Sequence, residues 1–147
     1  MFNNAIVKTP SPNMINGITS AKLGKPNYAK AMTQHLDYIQ ALKECGLKVT
    51  VLEADDDFPD STFVEDVALC TPNCAIITNP GAKSRNKEVT SMVPIINQFY
   101  KNIENIHAPG TLEAGDIMMV GKHYYIGLSD RTNQHGAKQM ITFLNQY

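Results

Sequence analysis

The feature that most constrains this chain is a plan written twice. In residues 65–78, EDVALCTPNCAIIT, the acids Glu65 and Asp66 precede two apolar runs parted by Thr71-Pro72-Asn73. In residues 113–128, EAGDIMMVGKHYYIGL, Glu113 and Asp116 precede two further runs parted by Gly121-Lys122. Short apolar runs joined by residues that favour tight turns predict an antiparallel hairpin in each segment. Behind each hairpin an arginine introduces a helical pattern: Arg85-Asn86 in the first case, Arg131-Thr132-Asn133 in the second. A small hairpin with one helix cannot cover its own faces, so such modules are expected to stack on neighbours of the same kind. The repeat therefore predicts an α/β chain.

The rest of the sequence fits that plan. AIVKT (5–9) and LKVTVLE (47–53) read as strands, and between them lies a long polar loop, SPNMINGITSAKLGKP, of the length that usually serves function. From Tyr28 the positions Ala31, Met32, Tyr38, Ile39, Leu42 and Cys45 recur at helical spacing, with Gly46 where a C-terminal cap belongs. Beyond Ser84, Val89, Met92, Val93, Ile96, Phe99 and Tyr100 predict an amphipathic helix kinked by Pro94, followed by a strand around IENIHA. A last helix is expected from about Thr132 onward. The boundaries read as units 1–57, 58–109 and 110–147 of a single domain.

Composition excludes several classes of function. The 147 residues are 43% hydrophobic and 18% charged with a net charge of −1, and no Lys/Arg cluster offers the basic patch that nucleic acid or an anionic membrane requires. No apolar run approaches the roughly 18 residues of a membrane span, and the N-terminus lacks a signal-peptide pattern. A cytoplasmic location is expected. Three cysteines are too few for a disulfide scaffold. Cys45, Cys70 and Cys74 are each predicted to be small buried hydrophobes, and a lone C-x₃-C pair is a poor metal site. His35, His107, His123 and His135 show no cysteine partner by sequence. No nucleophile, metal or cofactor is assigned.

Taken singly, an acid at a strand start or an arginine at a helix start is most simply a solvated loop charge. Their repeated pairing favours convergence on one cleft. Carboxylates hold a guanidinium by paired charge-assisted hydrogen bonds, and arginine holds a carboxylate by the same fork geometry. A free amino acid of the arginine type carries both ends.

The segments FPDSTFVEDVAL (58–69), GTLEAGDIMMVGKHYYIGLSDRTNQHGA (110–137) and GITSAKLGKPNYAKAMTQH (17–35) resemble the dimethylarginine dimethylaminohydrolase family, within the guanidino-group-modifying, or pentein, superfamily. The resemblance runs from about residue 4 to the C-terminus. It implies a propeller of five ββαβ blades, about three of them in this chain, and hydrolysis of methylated arginine to citrulline and a methylamine without metal or organic cofactor.

By the same resemblance Asp60, Glu65 and Asp66 belong to the substrate site, with Asp66 close to the guanidinium. Glu113 is the acid of the catalytic constellation, Arg85 and Arg131 bind the α-carboxylate, and Ile18 supplies a backbone contact from a lid. The family's nucleophilic Cys and proton-shuttling His are expected beyond Tyr147, so the chain alone is predicted to be inactive. A propeller stopped partway would expose apolar sheet, which leaves pairing with a second copy, completion by another chain, or an interrupted gene as the expected contexts. Two other readings stay open: a non-catalytic binding or assembly module for arginine-like ligands, and a deiminase or citrulline-directed member of the superfamily.

Overall fold

Strand β1 (Asn4–Lys8) lies parallel to β2 (Lys48–Leu52), in register from Asn4 opposite Lys48 to Lys8 opposite Leu52. Parallel neighbours need a long crossover, and here it contains a 3-10 turn (Pro12–Asn16) and helix α1 (Tyr28–Glu44). The computed structural model describes residues 2–147, which divide into two units, one ending at Val64 and the other Glu65–Tyr147.

In the first unit the Asn27 side chain caps α1 by accepting the Lys30 amide, and Gly46 leaves the helix at φ +83°, a conformation that glycine adopts without steric cost. The expected apolar face of α1 needs correction. Ile39 is its one fully buried residue, whereas Tyr38 and Cys45 are exposed. A two-stranded sheet covers only a narrow stripe of a helix. That stripe runs through Tyr28, Ala31, Met32, His35, Ile39 and Leu42, and Tyr38 lies about 100° round from Ile39. The prediction of a buried Cys45 fails for the same reason.

The second unit contains a complete strand-strand-helix-strand module. β3 (Ala68–Cys70) and β4 (Ala75–Ile77) form an antiparallel hairpin, α2 (Glu88–Ile96) follows, and β5 (Ile103–Asn105) returns parallel to β4. The Thr71 hydroxyl holds the hairpin turn, accepting from the Cys74 amide at 3.0 Å and donating to the Cys74 carbonyl at 2.8 Å. Helix α2 ends sooner than its apolar pattern predicts, two residues after Pro94. Proline has no N–H for the bond to residue 90, and Phe99 is left exposed outside the helix.

The plan then repeats. β6 (Ile117–Val120) and β7 (His123–Ile126) form the second hairpin, and α3 (Gln134–Gln146) is capped by the Asn133 side chain. One core serves both modules: Cys74, Ile76, Ile106, Leu112, Ala114 and Met140 are buried together, with Leu69, Ile117, Ile126, Phe143 and Leu144 against them. Among the described residues no helix is long and apolar enough to cross a membrane.

Candidate functional site

Each hairpin of the second unit opens on a short 3-10 turn, and these turns carry the acids. Glu65 and Asp66 sit in the turn Val64–Val67 that runs into β3, while Glu113 directly precedes the turn Ala114–Asp116 that runs into β6. The Thr78 hydroxyl donates to the Asp66 carbonyl at 2.8 Å and ties the first turn to the end of β4.

Arg85 lies in the turn Lys83–Arg85 ahead of α2, and Glu88 is the first residue of that helix, where a carboxylate also suits the helix dipole. Arg85 Nε donates to both Glu88 oxygens at 3.1 Å, and Nη2 donates to Oε2 at 2.8 Å. Nη1 donates to Asp66 Oδ2. The Arg85 side chain is 3% exposed and that of Glu88 4%. Burial opposes the guanidinium charge, but the hydrogen bonds it donates to Glu88 and then Asp66 outweigh this and raise the arginine further above its ordinary range. Arg85, read from the resemblance as a ligand for a substrate carboxylate, is thus engaged by two carboxylates of its own chain.

The second module builds a related pair with a different exposure. Glu113, 2% exposed, accepts the Ala82 amide on Oε1 at 3.4 Å and Arg131 Nη1 on Oε2 at 3.1 Å. The Arg131 side chain is 52% exposed. Its backbone, by contrast, is firmly placed. Asp116 Oδ2 accepts the hydroxyls of Ser129 at 2.7 Å and Thr132 at 2.6 Å, and Ser129 Oγ accepts the amides of Arg131 and Thr132 at 3.0 and 3.1 Å. The Thr132 hydroxyl also accepts the Glu113 amide at 3.2 Å. Gly81 packs so tightly here that a Cβ would stand 2.5 Å from the Arg131 Cα.

The two modules meet at the acids. Gly115 donates its amide to Asp66 Oδ1 at 3.2 Å, so one oxygen of Asp66 faces the second module and the other faces Arg85. Asp66, Arg85, Glu113 and Arg131 therefore belong to one linked array within the Glu65–Tyr147 unit. Glu65 is exposed at its edge, and desolvation raises its carboxyl above the usual carboxylate range. In the first unit Asp60 is buried, and both its oxygens accept the Ile18 amide at 3.1 Å, fixing the middle of the polar loop.

Sequence reasoning missed Glu88 and the hydroxyl of Thr132, and it counted Asp116 among the converging acids without giving it a role. Glu88 carried a signal, since it stands three residues after Arg85 and can face it across one helical turn. Of the thiols near the hairpin, Cys74 is fully buried beside the Thr71 hydroxyl, and burial pushes the partly buried Cys70 thiol up. Among the described residues no group of three or more His, Cys, Asp and Glu side chains could hold a metal ion.

The model of the family described as N,N dimethylarginine dimethylhydrolase, eukaryotic, matches residues 7–147. The chain belongs to the dimethylarginine dimethylaminohydrolase family. A curated relative of that name from Pseudomonas aeruginosa is 53% identical over 148 residues, covering 100% of this chain and 58% of the relative. This chain thus spans little more than half the length of that dimethylarginine dimethylaminohydrolase. A solved structure of the Pseudomonas aeruginosa protein, a cysteine-to-serine mutant complexed with citrulline, superposes with a TM-score of 0.98 at 54% identity over 99% of this chain and 58% of that one. The N-terminal domain of ArgZ matches with a TM-score of 0.84 at 16% identity, over 95% of this chain and 54% of that one, a likeness of fold alone. The fold class is α/β of the pentein type, as the ββαβ reading anticipated.

Proposed function

We propose that these residues form the ligand-holding part of a dimethylargininase-like hydrolase, which converts methylated arginine to citrulline and a methylamine in the cytoplasm without metal or organic cofactor. Glu113 and Asp66 receive the guanidinium, Arg131 receives the α-carboxylate, Asp60 and Glu65 are further substrate-binding residues, and Ile18 supplies a backbone contact. Arg85 orients Asp66 rather than meeting the ligand, because its fork is already shared by Asp66 and Glu88. No residue of this chain is assigned as the nucleophilic Cys or the proton-shuttling His, and the segments 1–57, 58–109 and 110–147 are successive modules.

The observation that carries this reading is that buried Glu113 holds a guanidinium, that of Arg131, at 3.1 Å. The seat has the charge, depth and acceptor geometry that a guanidino ligand needs. Calorimetry with arginine and dimethylarginine tests it. Binding by the 147-residue protein that is lost in Asp66→Ala and in Glu113→Gln is the expected result, and binding unaffected by both substitutions would overturn it. Citrulline release by the 147-residue protein, shown intact by mass spectrometry, at the rate of a full-length relative would overturn the placing of the nucleophile.

A further inference from the structure

We infer that Arg131 is a specificity-determining residue which occupies the guanidinium seat of Glu113 until a ligand displaces it, so that tight binding is conditional on a ligand bearing a carboxylate as well as a guanidinium. The inference rests on the reading that Glu113 receives the ligand's guanidinium, and adds to it an internal competitor.

Three observations point this way. First, the seat is already occupied on one oxygen: Arg131 Nη1 donates to Glu113 Oε2 at 3.1 Å. Second, the two partners differ in freedom. Glu113 is locked, its side chain 3% exposed, its own amide bound by Thr132 and its Oε1 facing the Ala82 amide, whereas the Arg131 side chain is 52% exposed. Third, the Arg131 backbone is clamped by Ser129 and by the close approach of Gly81, with Asp116 bracketing the hydroxyls on either side. A fixed backbone with an open, long side chain moves by rotating its side chain alone.

Consequently a guanidinium entering at Glu113 must break the existing pair. A ligand with a carboxylate restores what is lost, because the released Arg131 takes that carboxylate. A ligand without one leaves Arg131 unpaired. Competition of this kind lowers the apparent affinity by the fraction of molecules whose seat is open. Because the arginine partner is half open to solvent, it can be displaced, with an expected effect of about two- to fivefold.

The test measures binding of methylguanidine and of arginine to the 147-residue protein by NMR titration, in the wild type, Arg131→Gln, Glu113→Gln and Lys83→Gln. Lys83 is an exposed cation next to Ala82 and controls for general charge. The expected result is opposite signs in Arg131→Gln: methylguanidine binds about two- to fivefold tighter, and arginine binds more weakly. Methylguanidine binding that is unchanged, weaker or undetectable in Arg131→Gln overturns the inference, as does equal tightening in Lys83→Gln. The underlying reading fails separately, if Glu113→Gln leaves arginine binding intact. Loss of arginine binding in Glu113→Gln without the opposite signs in Arg131→Gln removes only the internal competitor.

Discussion

Glu88 grips Arg85 from a position three residues further along the chain, with Nε at 3.1 Å from both carboxylate oxygens and Nη2 at 2.8 Å from one of them. This hold leaves Nη1 directed at Asp66. Both partners are almost wholly buried, so the pair behaves as one unit. Removing one member of a buried ion pair strands the other charge and costs about 3–5 kcal/mol. Glu88→Ala is expected to lower unfolding stability by about 3 kcal/mol in urea denaturation, and Glu88→Gln, which keeps an acceptor, by less than half of that. A Glu88→Ala protein as stable as the wild type would contradict the described pairing.

The hydroxyl of Thr132 bonds on two sides, to Asp116 at 2.6 Å and from the Glu113 amide at 3.2 Å. Thr132→Val keeps the shape but orphans a buried amide, which costs about 1–3 kcal/mol. Thermal denaturation should show this loss, while Thr132→Ser should recover most of it. Arginine binding should weaken in Thr132→Val as well, because the same hydroxyl fixes the backbone of Glu113.

Gly81 admits no side chain without movement, since a Cβ would lie 2.5 and 2.8 Å from the Cα and carbonyl carbon of Arg131. These are backbone atoms and cannot swing aside. Gly81→Ala should therefore cost about 1–3 kcal/mol, the usual range for overpacking, and displace Arg131 from Glu113. A loss of arginine affinity in calorimetry alongside the stability loss is the expected outcome.

His35 sits on the covered stripe of α1, and its buried Nε2 makes no hydrogen bond among the described residues. Desolvation lowers its pKa in the folded chain. The unfolded chain takes up this proton at about pH 6.5, whereas the folded chain takes it up only at lower pH. Between those values the unfolded state binds more protons, so stability rises with pH. The contribution is fully present above about pH 6.5 and is lost as the pH falls through the folded value. Melting temperature should fall between pH 7.5 and 5.5, and His35→Gln should flatten that dependence. An identical pH profile in the variant would remove His35 as the cause.

Glu65 behaves in the opposite sense. Its raised carboxyl pKa, due first to desolvation and then to Asp66 acting against a backbone hydrogen bond, means that the folded state disfavours its charge. Stability from this group is highest below the ordinary glutamate pKa and declines as pH rises through the folded value. Glu65→Gln should stabilise the protein at pH 7 and have no effect near pH 3, as followed by urea denaturation.

The sequence by itself determined the modules, their order and the chemistry at their openings. Turn residues and strand or helix periodicity are local signals, so the hairpins at 68–77 and 117–126, helix α3 and a strand at β5 follow from short stretches, whereas the parallel pairing of β5 with β4 does not. The motifs around Asp66 and Glu113 were specific enough to give the family. Only the tertiary structure decided which acid meets which arginine and how deeply. Arg85 and Arg131 hold equivalent places in the two modules, yet one is buried and the other half open. Glu88 closes on Arg85, while the residue three beyond Arg131 is the neutral Gln134. Burial depends on what packs over a residue from elsewhere in the chain, and no local pattern carries that information. The same reason accounts for the exposure of Tyr38 and Cys45, which the sequence pattern grouped with Ile39 but which lie beyond the stripe that a two-stranded sheet can cover.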